Sequence, residues 1–192
     1  MPPDFLGYPY GPLFRLLCAG GQRASEWAGA RSDQLDLTRK VFVIPGPKFR
    51  SAKIVPLSDL MMEIIVNLPF NTSDKGNDFI FSFNGGTTPM SSISKGKRYL
   101  DRLMPKYMQN PAANMDGLSG KGWVIHDVRH TVRLQLSKLR IDPYIAEAVL
   151  GRERHDFLSI DVAWLTEAKR EALQAWADEL RKIVGMHLPE RS

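Results

Sequence analysis

The stretch VIHDVRHTVRLQLSKLRIDPYIAEAVLGR, from Val124 to Arg152, is the most informative part of this sequence. Apolar residues recur in it at steps of three and four, as on a helix that packs one face against a core; they are Val128, Val132, Leu136 and Leu139. Four cationic or titratable residues fall together on another face, away from the apolar stripe; they are His126, Arg129, His130 and Arg133. A helix with such a face is suited to present these side chains to an anion.

This cationic helix face allows three interpretations. It can be a solvated basic surface that has no ligand. It can be a metal site formed by His126 and His130 at positions i and i+4, although no nearby carboxylate or cysteine completes the ligand set. It can also be a phosphate clamp, because arginine offers a planar fork of donors and histidine offers one more. A clamp needs a second arginine, and Arg23 after the glycine pair Gly20–Gly21 is the candidate.

Length and composition favour one domain spanning residues 1–192, with two small domains as the alternative. A chain of 192 residues that is 43% hydrophobic can bury one good core. The net charge of +5 is compatible with a nucleic-acid partner. Cys18 is the only cysteine, which excludes an internal disulfide and a cysteine-based zinc site and fits a reducing cytoplasm. The N-terminus has no signal-peptide pattern, and the longest apolar stretch, 60–70, is too short to span a bilayer. We therefore expect a soluble, cytoplasmic protein without membrane contact.

The periodicity predicts a fold that is mainly α with a small antiparallel β-sheet, an α+β class. A helix interrupted at the glycine pair is predicted over 13–30, and a β-hairpin over 41–57. A helix capped by Ser58 follows, then a short strand over 79–83 and a basic amphipathic helix over 92–104. Further helices are predicted at 126–139, 143–150 and 165–184.

Four segments in this order resemble the catalytic domain of the tyrosine recombinases, the phage-integrase family, and especially the integrases of integrated mobile elements. GPLFRLLCAGGQRASEWAGAR (11–31) is similar to the family's first arginine box, and HDVRHT (126–131) to its His-x-x-Arg box. IDPYIAEAVLGR (141–152) is similar to its Leu-Gly-His segment, and AKREALQAWADEL (168–180) to its tail helix. The resemblance implies the DNA breaking-and-rejoining catalytic fold.

The resemblance also implies roles for individual residues. Arg23 and Arg129 would bracket the scissile phosphate and neutralise charge as it becomes pentacoordinate, with help from His126. Lys48, at the expected tip of the hairpin, would protonate the departing 5′ oxygen as a general acid. Glu26 would be the acidic residue that orients these catalytic side chains. No metal or other cofactor is expected.

Two positions depart from the family pattern. Arg152 stands where the family has a histidine, and His155 is a candidate to replace that histidine. The nucleophilic tyrosine is missing, because no tyrosine follows position 144. Alignment on the tail helix places Ser159 or Ile160 in that slot, or Trp164 if the gap is drawn differently. A serine hydroxyl has a far higher pKa than a phenol, so we expect no strand cleavage by this chain alone.

The resemblance predicts a DNA-binding protein of DNA integration or site-specific recombination. The residues expected to bind double-stranded DNA are Arg23, Arg129, His130 and Arg133. The family's N-terminal core-binding domain is expected to be absent, because Met1 stands shortly before the first box. Three alternatives remain: a recombinase completed in trans by a partner's tyrosine, an interaction or regulatory protein that associates with an integrase or with itself through the C-terminal helix, and a decayed integrase fragment.

Overall fold

The structure is a computed structural model that describes residues 6–46, 52–69, 78–104, 122–152 and 161–185. These residues form helices and one three-stranded sheet. The helices are α1 (Tyr10–Gly20), α2 (Ala24–Ala28), α3 (Asp59–Val66), α4 (Ile93–Leu103), α5 (Ile125–Lys138), α6 (Pro143–Val149) and α7 (Val162–Gly185). The strands are β1 (Leu35–Asp36), β2 (Val41–Ile44) and β3 (Lys53–Pro56). The predicted class, mainly α with a small antiparallel sheet, is confirmed.

The sheet has the strand order β1-β2-β3, and both pairs are antiparallel. Phe42 of β2 is fully buried and pairs with Val55 of β3 on one side and Leu35 of β1 on the other. The two strands of the predicted hairpin are therefore present. Its tip, with Lys48, lies outside the described residues.

The strand predicted over 79–83 is wrong. Phe79 forms only an isolated bridge with Arg31, and the next residues bend. Ile80 and Phe81 are consecutive and both fully buried, so the segment cannot alternate between two faces as a half-buried strand does. Its backbone bonds go to separate loops instead, from Ile80 N to Ala30 O and from Met90 N to Phe81 O.

Local signals account for the ends of the helices. Gly21 ends α1 in the left-handed region, at φ 65°, and its N–H donates to Leu17 O at 2.9 Å. Ser58 begins α3, and its side chain accepts the Met61 N–H at 3.4 Å. The helix break at the glycine pair and the Ser58 cap were both predicted from sequence.

The core joins the first helices to the sheet and to α7. Trp27 of α2 stacks on Phe42 with ring centroids 4.4 Å apart, and both side chains are fully buried. Burial of a large apolar side chain contributes about 1.5–3 kcal/mol, so this pair anchors α2 firmly on the sheet. On the other side, Trp176 of α7 donates its Nε1–H to Cys18 O at 2.9 Å. Among the described helices, none is long and apolar enough to cross a membrane.

Candidate functional site

A cleft of about 450 Å³ opens between the α1–α2 turn, the first turn of α4 and the start of α5. Arg23, His126 and Arg129 line it, together with Gln22 and Ser94. Arg23 precedes His126 and Arg129, which share α5, by about a hundred positions in the sequence. The fold therefore brings three of the sequence-predicted site residues to one cavity.

Arg23 reaches this cleft because the chain turns sharply after Gly21. It is the N-cap residue of α2, with extended backbone. Its backbone N–H donates to Glu26 Oε2 at 2.7 Å, and its Nη1 donates to Glu26 Oε1 at 3.0 Å. The Arg23 side chain is still 52% exposed. Its guanidinium is thus tethered at one end by a carboxylate and open to solvent at the other.

Arg129 has a different environment from the one that the helical pattern suggested. It is only 3% exposed, on the buried edge of α5 rather than on an open cationic face. Its Nη1 donates to Gly21 O at 3.0 Å and its Nη2 to Leu150 O at 2.5 Å. Its buried Nε has no hydrogen-bond partner within the described part of the chain. Burial first, and then the charges of Arg23 and Arg152, lower the pKa of Arg129 to about 10.

His126 and His130 lie on adjacent turns of α5, and both are exposed. Their ring centroids are 4.8 Å apart with the rings edge to face. Desolvation first, and then the neighbouring His130 and Arg129, lower the pKa of His126, which favours its neutral form. His126 lines the cleft, whereas His130 does not. Among the described residues, no group of three or more His, Cys, Asp or Glu side chains could hold a metal ion.

Arg133 and Arg152 share the carboxylate of Glu147 in α6. Arg133 Nε lies 2.6 Å from Glu147 Oε1, and Arg152 Nη1 lies 3.9 Å from Glu147 Oε2. Arg133 also donates to the Ser137 hydroxyl. Neither arginine lines the cleft, but the charge of Arg152 is close enough to lower the pKa of both His126 and Arg129.

The position of Arg152 follows from the end of α6. Gly151 adopts φ 65°, and its N–H donates to Ala148 O at 2.9 Å. The Arg152 N–H donates to Glu147 O at 3.0 Å, which completes a Schellman motif. Glycine in this left-handed position turns the chain so that Leu150 O faces Arg129 and Arg152 faces Glu147.

Several sequence-predicted site residues lie outside the described residues; they are Lys48, His155, Ser159 and Ile160. Trp164, the other candidate for the nucleophile position, lies in the first turn of α7 and is 56% exposed.

The sequence reasoning missed the polar residues Gln22 and Ser94 of the cleft lining and one cation beside the cleft, Lys53 at the start of β3. Its Nζ donates to Glu26 Oε2 at 3.2 Å and to the side-chain oxygen of Gln22. The signal in the sequence was weak, since a lysine at a strand end is usually solvated. Its partners lie 27 and 31 positions earlier, so only the fold brings them together.

The chain belongs to the phage integrase family. The model of this family, described as "Phage integrase family", matches residues 6–160. The match includes the first arginine box, the His-x-x-Arg box and the Leu-Gly-Arg segment. Comparison with curated protein sequences finds no significant match.

Solved structures of integrases and recombinases share the fold. The integrase from mycobacterium phage Brujita superposes with a TM-score of 0.57 at 16% identity, over 87% of this chain and 51% of that chain. XerA recombinase gives 0.52 at 19% identity, over 95% and 57%. The Tn1549 transposon integrase, in complex with transposon right end DNA, gives 0.54 at 19% identity, over 83% and 57%. This chain spans little more than half the length of these three proteins.

Proposed function

We propose that this chain binds double-stranded DNA at the Arg23–Arg129 cleft and acts in DNA integration or site-specific recombination. The observation that carries the proposal is the meeting of Arg23, His126 and Arg129 in one cleft of a phage-integrase-family fold. Two guanidinium groups and an imidazole supply the donors and positive charge that a phosphate diester needs. A protein that integrates or recombines the DNA of a mobile element acts where that DNA is, and we therefore propose a cytoplasmic location.

The charge distribution next to the cleft supports a polyanion rather than a single phosphate. Lys95, Arg98 and Arg102 lie at i, i+3 and i+7 on α4, so they share one face of the helix, and all three are exposed. Within the described ranges none of the three forms an ion pair. This face extends about 10 Å along the axis of α4, whose residue Ser94 borders the cleft. A duplex bound at the cleft would find further cations along α4.

The close packing of α4 supports a fixed geometry for this face. Gly96 lies against Tyr10, where an added Cβ would approach the ring to 2.3 Å. Tyr99 adds an edge-to-face contact with Tyr10 at a centroid distance of 6.2 Å. These contacts pack α4 against α1, the helix that leads into the turn with Arg23.

The proposed action of the cleft is charge stabilisation at one phosphate. Arg129 is preorganised, because two main-chain carbonyls hold its guanidinium in place. Arg23 is partly free to turn towards a ligand. We propose that DNA is bound without strand cleavage by this chain's own residues, because no tyrosine follows position 144 and the Ser159 hydroxyl is a poor nucleophile.

A second candidate is association with another integrase, which could also supply a tyrosine in trans. A groove of about 420 Å³ between α1, α3 and α7 favours it, with apolar walls that include Leu60, Ile64 and Leu180. A partner helix is the kind of segment that fits such a groove. Under this candidate the C-terminal helix α7 is part of the contact surface.

The test of DNA binding is a titration of the purified chain with a short labelled duplex over a series of salt concentrations. We expect weak binding whose affinity falls steeply as salt rises, and a further loss in Arg23→Ala. Lys138→Ala is the matched control, since it removes one exposed cation from the far end of α5, away from the cleft. Absence of binding at low salt, or an equal loss in both variants, would contradict the proposal.

A further inference from the structure

Lys53 connects three segments around the cleft. Its Nζ lies 3.4 Å from Glu26 Oε1 and 3.2 Å from Glu26 Oε2, so it spans both oxygens of the carboxylate. Its side chain also crosses the backbone of Gly151, where an added Cβ would lie 2.7 Å from Lys53 Cε. Only 16% of the side chain is exposed. The amine is therefore an enclosed member of the site rather than a surface charge.

Gln22 fixes the Lys53 amine from the second side. The Gln22 Nε2 donates to Gly20 O at 2.9 Å and to Val149 O at 3.0 Å, and the residue is 2% exposed. Both amide protons are thus used, which orients the side-chain oxygen of Gln22 towards Lys53. The ammonium group of Lys53 is therefore held at the carboxylate of Glu26 by direct side-chain contacts.

Glu26 consequently binds two cations that differ in their exposure to solvent. Arg23 binds it from the exposed side, through its Nη1 and its backbone N–H. Lys53 binds it from the enclosed side. Burial raises the pKa of Glu26, but the charge of Lys53 and the hydrogen bonds from Arg23 and Lys53 outweigh burial, and the net pKa is lowered. Glu26 is therefore ionised, and it needs at least one of the two cations.

We propose that Lys53 is a positioning residue for Arg23: by neutralising Glu26 it leaves the Arg23 guanidinium available for a phosphate in the cleft. This inference rests on the proposed function and deepens it. If Lys53 carries no charge, Arg23 alone must neutralise Glu26, and the carboxylate repels an incoming phosphate. Lys53 then acts on the ligand through Glu26 and Arg23, not by direct contact.

The charges around Lys53 make this arrangement dependent on pH. Glu26 and Arg23 face it from α2 and Arg129 faces it from α5, while Lys169 of α7 binds Ile54 O beside it. Burial lowers the pKa of Lys53, Glu26 raises it, and Arg129 and Arg23 lower it further, to about 8. As pH rises through this value, Lys53 loses its proton. Arg23 is then the one remaining cation of the pair that neutralises Glu26, and affinity for DNA falls.

The test is a double-mutant cycle on DNA affinity, measured by fluorescence anisotropy with a short duplex at constant low salt and neutral pH. Lys53→Met should weaken binding about tenfold, the usual size for one charge-assisted contact. Glu26→Gln should bind as well as the native protein or better. In the Glu26→Gln background, Lys53→Met should cost little, because Arg23 no longer has a carboxylate to neutralise. Lys40→Met is the control, since it removes a lysine charge from an exposed pair with Asp59.

The pH profile supplies a second measurement that a purely structural role would not change. The native protein should lose affinity between about pH 7 and about pH 9, across the pKa of Lys53. Lys53→Arg should bind as the native protein does at neutral pH and should not show this loss, because its guanidinium stays charged. This comparison decides the question even if Lys53→Met folds poorly.

Two results would overturn the inference. A loss from Lys53→Met that is the same in the native and Glu26→Gln backgrounds would mean that Lys53 contacts the phosphate directly. An identical pH profile for the native protein and Lys53→Arg would mean that Lys53 does not control the cleft. A native protein that does not bind DNA at any salt concentration would instead refute the proposed function.

Discussion

The guanidinium of Arg129 donates to the carbonyl oxygen of Gly21 at 3.0 Å, and 108 residues separate the two in sequence. This bond joins α5 to the C-cap of α1, within the first arginine box. Arg129 therefore stabilises the packing of α5 against the end of α1, and it is also a candidate phosphate-binding residue. Arg23, two residues after Gly21, is held by Glu26 and has no such buried bonds. The two arginines of the cleft should differ in their effect on stability.

Arg129→Met should destabilise the protein by about 2 kcal/mol or more, because two main-chain carbonyls lose their donors in a buried setting. Arg23→Met should cost less than about 1 kcal/mol, since its side chain is half exposed and forms one solvent-accessible ion pair. Urea unfolding followed by circular dichroism measures both. Equal losses for the two variants would contradict the structural role of Arg129.

Gly21→Ala should destabilise the protein more than Gly85→Ala. Both glycines have φ between 65° and 68°, so each substitution adds the strain of the left-handed region, about 1–2 kcal/mol. At Gly21 the new Cβ would also lie 2.9 Å from Leu150 Cδ2 and Val132 Cγ1, whereas at Gly85 it meets nothing within 4 Å. The difference in unfolding midpoint between the two variants measures the packing cost alone. Equal unfolding midpoints would show that the Leu150 and Val132 side chains move to accommodate the new Cβ.

The basic face of α4 should contribute to the salt dependence of DNA binding. Lys95→Gln should reduce the slope of log affinity against log salt by about one unit if Lys95 contacts a phosphate. Lys97→Gln in the same helix is the control, because Lys97 is engaged with Asp101 at 2.6 Å and lies over the Trp123 ring. The same change in slope for both lysines would indicate a general charge effect and no contact surface on α4.

Lys53 should make stability increase with pH in the alkaline range. Its pKa is about 8 in the folded protein, against an ordinary value of 10.5. Between these two values the unfolded chain binds more protons than the folded chain, so the free energy of unfolding rises with pH. Below about pH 8 both forms are protonated and the contribution is constant. Urea unfolding of the native protein and Lys53→Met between about pH 7 and about pH 9 should show the rise only in the native protein, because Arg129 titrates at higher pH.

No covalent protein–DNA adduct should form on a suicide substrate with the purified chain alone. An in-line attack needs a nucleophile that ionises readily, and a phenol meets that need far better than the hydroxyl of Ser159. Denaturing gel electrophoresis of the reaction measures adducts directly. Ser159→Tyr tests whether the remaining groups can support attack, and added full-length integrase tests donation in trans. An adduct of the unmodified chain that maps to Tyr144 or Ser159 would contradict this prediction.

Short-range features of the sequence predicted most of the secondary structure. The glycine pair ends α1 because Gly21 can take a positive φ, and Ser58 begins α3 because its hydroxyl satisfies a free N–H. Spacing within HDVRHT placed His126 and Arg129 on one helix. The strand over 79–83 failed, because its residues are buried consecutively against loops whose positions no local pattern reveals.

By itself, the sequence determined the family, most of the helices and strands, and the cationic residues of the cleft. It could do so because boxes, caps and periodicity act over a few residues. Only the tertiary structure decided which cations are enclosed. Arg129 lies at the edge of the apolar stripe of α5, and it is buried because the ends of α1 and α6 close over it. Lys53 joins the site because Gly151 leaves room for its side chain and Glu26 supplies the opposite charge. Both outcomes depend on contacts between segments that are distant in sequence, and local propensity does not encode such contacts.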